Sequence, residues 1–173
     1  PVALPAEVWL LMFIGGYRLS CAVALYVFAA GQSAGAANLP VACGPVACGS
    51  GGPATWVTSG SATSTVAGTR LEINQTSDKA VLNWAEFNIA AGNSVVFKQP
   101  SASSLALNRI FQDSPSRIFG MLTANGQIYL INQNGILFGN GAQVNVGSLV
   151  ASSLPLDPIA ESDGILNSNL LRT

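Results

Sequence analysis

The stretch LTANGQIYLINQNGILFGNGAQVN, residues 122–145, carries the clearest structural signal in this chain. Short apolar runs in it alternate with Asn-Gly pairs at 125–126, 134–135 and 140–141. Asn and Gly tolerate positive φ, so each pair allows a sharp turn at little steric cost. One such turn favours a hairpin, but three in succession between very short strands favour a chain that keeps turning the same way. A solenoid stacks such strands into parallel sheets and can line up its turn asparagines one above another, so the stretch predicts rungs of a β-helix.

Strand-like runs also fill the chain before this stretch, from Val66 onward. Apolar and polar residues alternate around Leu71 and Ile73, and turn residues separate the runs that follow. Strands at such spacing also fit a sandwich or barrel, but several of these runs are too short for long sandwich strands. Large aromatic residues in alternating runs usually pack inward, so Trp84 and Phe87 are predicted to lie in the core.

The composition argues against several functions. Charged residues make up 9% of the 173 residues, against about 25% in an average soluble domain. The net charge of −1 gives no electrostatic basis for binding nucleic acid. Histidine is absent, which removes the commonest general base and the commonest metal ligand. Single carboxylates are scattered at Glu72, Asp78, Glu86 and Asp113, so the sequence predicts no enzyme, no metal site and no cofactor.

The first 36 residues differ from the rest. Arg18 is followed by the apolar run 19–30 and by small residues at 34–36, the order found in a secretory signal peptide. A membrane-spanning helix over 8–30 is the alternative, but it would bury Arg18 and no stop-transfer charges follow. The expected organisation is a signal segment at 1–36, a β-helical domain at 37–154 and a weakly patterned tail at 155–173. Because the pattern fades in the tail, we expect the domain to be truncated there.

Two cysteines follow the signal segment. Cys43 and Cys48 lie in a Gly-rich lead-in, and an exported protein enters an oxidising space where nearby cysteines can pair. A redox or metal pair is the alternative, although the spacing is not C-x-x-C and nothing completes a metal site. We therefore predict a small structural disulfide, while Cys21 would leave with the signal peptide.

Eight phrases between Asn38 and Leu154 resemble, in order, those of one known family. They are SDKA at 77–80, NW and FNI within 83–89, VVFKQP at 95–100, LNRI at 107–110, SRIFG at 116–120, LTANGQ at 122–127, LINQNGI at 130–136 and LVASSL at 149–154. The chain thus resembles the N-terminal secretion domain of filamentous-haemagglutinin type, or haemagglutination activity domain, of two-partner secretion exoproteins in Gram-negative bacteria. Two features depart from the family: Gln133 replaces the usual proline of its N-P-N-G-I element, and the lead-in 41–56 looks like an insertion.

The resemblance implies an all-β fold, a right-handed parallel β-helix (solenoid) with N-terminal capping strands. It implies a secretion-targeting domain of a large surface protein of the adhesin or haemagglutinin type. The implied partner is an outer-membrane β-barrel transporter, which engages the domain through its periplasmic domains. The protein would be exported through the periplasm and then secreted or attached to the cell surface.

Two other functions stay open at this point. One is an adhesin or haem-binding module acting at the cell surface, reaching host cells or glycans through a passenger downstream of this chain. The other is a β-helical polysaccharide-active enzyme, which would need clustered carboxylates or a bound cation with a base.

The resemblance also points to residues for transporter recognition. These are Asn132, Gln133, Asn134, Gly135 and Ile136, together with Asn108 and Arg109. Asn134-Gly135 forming a tight turn, with Asn132 capping a backbone group, is favoured over direct contact with the transporter. Arg109 would either bond carbonyls at a turn or meet an acidic groove on the transporter.

Overall fold

The computed structural model describes residues 38–44, 48 and 52–154, and all regular structure in these ranges is β-strand. The predicted all-β solenoid is confirmed. The strands in chain order are β1 (Val41–Ala42), β2 (Val57–Ser59), β3 (Ala62–Ala67), β4 (Arg70–Gln75), β5 (Lys79–Glu86), β6 (Ser94–Lys98), β7 (Leu105–Ile110), β8 (Ser116–Ile118), β9 (Met121–Ala124), β10 (Gln127–Asn132), β11 (Ile136–Phe138), β12 (Gln143–Asn145) and β13 (Ser148–Ser152). The predicted signal segment 1–36 and tail 155–173 lie outside the described residues. Within the described ranges there is no helix long and apolar enough to span a membrane.

The solenoid has about four coils stacked by parallel pairing. The first sheet has the order β12-β9-β6-β4-β3, and the second runs β1-β5-β7-β10-β13, with β2 also on β5. The third sheet consists of β8 and β11, and the bridge from Ile89 to Ile118 extends it to the first coil. Backbone hydrogen bonds between these parallel strands therefore run from coil to coil.

The core fills the space between the sheets. Leu71, Val95 and Leu122 stand in register on successive strands of the first sheet, and all three are buried. Trp84 and Phe87 are also fully buried, as predicted, with their ring centroids 5.3 Å apart in an edge-to-face arrangement. Burial of such aliphatic and aromatic side chains supplies the main stabilisation of each coil on the next.

The N-terminal end of the solenoid is capped by antiparallel strands. β1 and β2 pair with β5, and β3 pairs with β4 through a turn in which Gly68 has φ 58°. Leu39 belongs to the buried core and Trp56 packs against it. The implied capping strands are therefore present.

The three Asn-Gly pairs lie at three successive corners of one coil, between β9 and β10, between β10 and β11, and between β11 and β12. These three pairs therefore do not stack on one another, because corners that stack belong to different coils. Gly135 and Gly141 do adopt positive φ, at 100° and 88°. Gly126 does not; a Cβ there would lie 2.6 Å from the carbonyl oxygen of Ser104, so this glycine is required for close approach.

Other amides do stack, at the corner between the first and second sheets. Gln99 Nε2 donates to Gln75 Oε1 at 3.1 Å, linking the second coil to the first. Asn125 Oδ1 accepts from the backbone N–H of Gln99 at 2.7 Å, and Asn125 Nδ2 donates to the Gln99 carbonyl at 2.7 Å. The ladder Gln75–Gln99–Asn125 thus links three coils by side-chain bonds.

Candidate functional site

The predicted secretion motif forms the corner between β10 and β11. Asn132 ends β10 and its side chain is fully buried. Asn132 Nδ2 donates to Ser116 Oγ at 2.9 Å and to the Ser114 carbonyl at 3.2 Å. Asn132 Oδ1 accepts from the backbone N–H of Asn134 at 2.9 Å, while the N–H of Gly135 donates to the Asn132 carbonyl at 2.9 Å. Asn132 therefore holds both its own turn and the loop of the coil beneath it.

Asn134 also bonds to the coil beneath. Its Nδ2 donates to the backbone carbonyl of Gln112 at 2.8 Å. Gln112 Oε1 in turn accepts from the backbone N–H of Phe87 at 2.8 Å, and Gln112 Nε2 donates to the Ser114 carbonyl at 2.8 Å. Sequence reasoning missed Gln112, although its place just before a Ser-Pro turn, one coil below Asn134, was a usable signal.

The remaining motif residues differ in exposure. Gln133, which stands where the family has proline, is exposed, and its side chain makes no hydrogen bond with the described residues. Gly135 has open space around the position of a Cβ, with Pro115 Cβ 3.9 Å away, so its φ of 100° is what requires glycine. Ile136 starts β11 and packs partly against the core. Among the four side chains of the motif, the polar one that is exposed and makes no hydrogen bond with the described residues is that of Gln133.

Asn108 and Arg109 lie on opposite faces of β7, so they do not act as one pair. Asn108 is fully buried: its Oδ1 accepts from Trp84 Nε1 at 2.9 Å and its Nδ2 donates to the Tyr129 carbonyl at 3.2 Å. Arg109 points to the outside, with its guanidinium carbon 5.3 Å from the centroid of the Phe111 ring. Arg109 lies within β7 rather than at a turn, and it pairs in register with Ile131 of β10.

An open groove of about 580 Å³ lies beside the motif corner. Its lining includes the loop of Ser114 and Pro115, on which the motif turn rests, and the side chain of Arg117. Other lining residues are Asn38, Asn88, Ala90 and Phe119. Arg117 is exposed and makes no ion pair with the described residues. The groove thus combines aromatic and amide groups with one positive charge.

Cys43 and Cys48 are joined in a disulfide in the lead-in. Cys43 is buried, and its backbone N–H donates to the Asn83 carbonyl at 3.0 Å. The disulfide thus sits against β5 of the first coil.

The carboxylates do not form a joint site. Glu72 accepts from Lys98 Nζ at 2.6 Å and from Arg70 at 3.1 Å on the outer side of the first sheet. The hydrogen bond from Lys98, followed by that from Arg70, lowers the pKa of Glu72 below 4.5. Among residues 38–44, 48 and 52–154, no group of three or more potential ligand side chains is placed to hold a metal ion.

The sequence and fold have counterparts among known proteins. A family model described as the TPS secretion domain matches residues 54–168. A heme/hemopexin-binding protein of Haemophilus influenzae is 41% identical over 93 residues, covering 54% of this chain and 10% of that protein. The protein of the same name from strain ATCC 51907 is 39% identical over 103 residues, covering 60% of this chain and 11% of its own length.

A solved structure is similar to this chain in both fold and sequence. The crystal structure of the HMW1 secretion domain from Haemophilus influenzae superimposes with a TM-score of 0.58 at 36% identity, covering 62% of this chain and 28% of that one. The chain spans about a tenth of the length of the curated relatives it matches.

Proposed function

Since this chain belongs to the family of TPS secretion domains, we propose that it directs the export of a larger protein across the outer membrane of a Gram-negative bacterium. The match over residues 54–168 is the observation that carries this proposal, and the likeness to the HMW1 secretion domain supports it. The proposed partner is a cognate outer-membrane β-barrel transporter that binds the domain through its periplasmic domains. The cargo is a surface protein of the adhesin or haemagglutinin type, which is secreted or stays attached to the cell surface.

The stacked coils suit this task physically. A chain that crosses a membrane through a barrel passes unfolded, and each coil that emerges buries its apolar face on the coil before it. Amide ladders such as Gln75–Gln99–Asn125 fix the placement of each new coil on its predecessor. Folding outside the cell then opposes backward movement without nucleotide hydrolysis.

Within this function we assign the corner formed by residues 132–136 mainly a structural role, which is to hold its own coil on the coil beneath. The bonds of Asn132 and Asn134 to the coil below, and the positive φ of Gly135, support that assignment. We assign direct contact with the transporter to Arg109, which is half-buried on the outside of β7.

The test is delivery of the chain to the cell surface with and without its transporter. Protease added to intact cells should digest the exported chain only when the transporter is coexpressed, whereas signal removal should occur in both strains. Transporter-independent appearance at the surface would refute the proposal.

In the same assay, replacing Asn134 and Gly135 together should block surface delivery and leave signal removal intact, because any other residue at positive φ is strained. The matched variant Gln133→Pro restores the family's usual residue and should be delivered normally.

Haem binding or adhesion is a second candidate, suggested by the name of the two relatives. This chain covers about a tenth of each relative and contains no histidine, a common haem ligand. We therefore place such activity in the larger protein rather than in this domain. A haem titration followed by its absorption spectrum tests this placement, and a saturable spectral shift with this chain alone would refute it.

We also propose that the chain is not an enzyme. Glu72 is engaged by Lys98 and Arg70. The nearest other acidic residues in sequence are Asp78, immediately before β5, and Glu86, at the end of β5. Polysaccharide cleavage needs two carboxylates close together or a bound cation with a base. Release of reducing sugar from polysaccharides by the purified chain would overturn this proposal.

A further inference from the structure

The outer edge of β3 is open. β3 pairs with β4 on one side, and no part of the described chain bonds to its other side. Five of its six residues are exposed, including Val66 at 55%. Edge strands of monomers are normally protected by lysine, proline or a bulge. The sequence ATSTVA of β3 has no charge and no proline, and its register with β4 is unbroken. This edge is therefore prepared for pairing with another strand.

The phase of the β3–β4 ladder shows which groups face the open edge. The N–H of Thr76 donates to the Ser61 carbonyl at 2.9 Å, so the pair Ser61–Thr76 is a hydrogen-bonded one. Bonded and non-bonded pairs alternate along an antiparallel ladder. Thr63 and Thr65 therefore bond to β4, whereas Ala62, Ser64 and Val66 direct their backbone N–H and C=O groups outward.

We propose that β3 pairs with β3 of a second copy of this chain, antiparallel about a two-fold axis at Ser64. This register places Ala62 opposite Val66 of the second copy, and Ser64 opposite its own equivalent. The outward groups then form about six backbone hydrogen bonds across the axis. The two first sheets become one continuous sheet.

The side chains of β3 suit this register. On one face Ser64 meets Ser64, with Ala62 and Val66 beside it, and on the other face Thr63 meets Thr65. Small hydroxyl and β-branched residues form favourable cross-strand pairs, and no like charges meet. The contact is isologous, so it uses the β3 edge of each copy and by itself produces a dimer rather than a chain of copies. This self-complementarity favours a second copy over a strand of a different protein.

Sedimentation equilibrium of the full 173-residue chain over a range of concentrations tests the pairing. The wild type should show a monomer–dimer equilibrium. Ser64→Lys places two like charges opposite each other on the axis and should weaken association at least about tenfold, and Ser64→Asp should do the same. An equal mixture of the two variants should associate again, because lysine then faces aspartate. Thr63→Lys is the matched control: it faces Thr65 rather than itself, and it should keep the dimer.

Circular dichroism should show the same β-sheet spectrum for all of these variants, since the side chains of Thr63 and Ser64 are exposed and make no hydrogen bond with the described residues, and the backbone bonds to β4 do not depend on them. A wild type that stays monomeric at all concentrations would overturn the proposal. So would self-association that Ser64→Lys leaves unchanged, or that the mixture fails to restore. A monomeric wild type whose transporter-dependent delivery is lost in Ser64→Lys would assign the edge to a strand of the transporter instead.

Discussion

Replacing Asn132 by alanine tests whether the secretion motif holds the fold together. The Asn132 side chain makes three hydrogen bonds inside the protein, to the Ser114 carbonyl, to Ser116 Oγ and from the N–H of Asn134. Each such bond contributes about 1 kcal/mol net, and a buried partner left without a bond costs about 1–3 kcal/mol. The Ser114 carbonyl keeps its bond from Gln112, so the main losses fall on Ser116 and Asn134.

We therefore expect Asn132→Ala to lower the free energy of unfolding by about 2–4 kcal/mol. With a urea m-value of about 1–3 kcal/mol/M, the unfolding midpoint should fall by about 1–2 M. The measurement is urea unfolding of the 173-residue chain followed by circular dichroism. Gln133→Ala, next to it on the same turn, is the matched control; its side chain is exposed, and stability should change by less than about 0.5 kcal/mol.

Surface delivery measured on the same two variants shows whether the corner at residues 132–136 stabilises the fold or contacts the transporter directly. If the corner acts by holding the fold, Asn132→Ala loses delivery together with stability and Gln133→Ala keeps both. A stability change below about 0.5 kcal/mol in Asn132→Ala would refute the structural reasoning. Loss of delivery in a fully stable Gln133→Ala would locate direct transporter contact on this turn.

Three further predictions follow from other parts of the chain. Phe87→Ala removes a fully buried ring and should cost about 3–5 kcal/mol in urea unfolding; a cost below about 1 kcal/mol would contradict its place in the core. The ion pair with Lys98 stabilises ionised Glu72 and lowers its pKa in the folded protein. The pair therefore contributes to the stability of the fold above pH 4.5, and this contribution is lost as the pH falls through the lowered pKa of the folded state. The melting temperatures of wild type and Glu72→Gln should therefore differ near neutral pH and converge in acid; a constant difference would speak against it. Mass spectrometry of the periplasmic chain should find Cys43 and Cys48 in one intramolecular disulfide, and two thiols that alkylate without reductant would exclude it.

The sequence was sufficient for the fold because its turns and its family phrases are local signals. The run Ile136–Phe138 between two Asn-Gly pairs coincides with β11, and the core positions of Trp84 and Phe87 followed from alternation. These features depend on a few neighbouring residues, and a sequence displays such neighbours directly.

Features that depend on the stacking of coils were not predictable in the same way. Asn108 is buried in the interior, and Trp84 on the preceding coil supplies the hydrogen bond that makes this burial tolerable. The need for glycine at position 126 arises from the approach of Ser104, also on another coil. Leu107 alternates like a core residue, yet it belongs to a separate buried cluster on the outer side of the second sheet. Each of these requires the register between coils, which no single stretch of sequence specifies.

The direction of the backbone hydrogen bonds has a mechanical consequence. Bonds between parallel strands lie along the solenoid axis, so a force that pulls the end coil away loads them one after another, as in unzipping, rather than all at once. Resistance to such a pull is then set by a single coil and does not grow with the number of coils. A force across the axis instead loads many coils together. At the N-terminal end, the segment between Cys43 and Cys48 cannot be extended while their disulfide is intact. Unfolding from that end therefore lengthens the chain by less than the number of unfolded residues would allow.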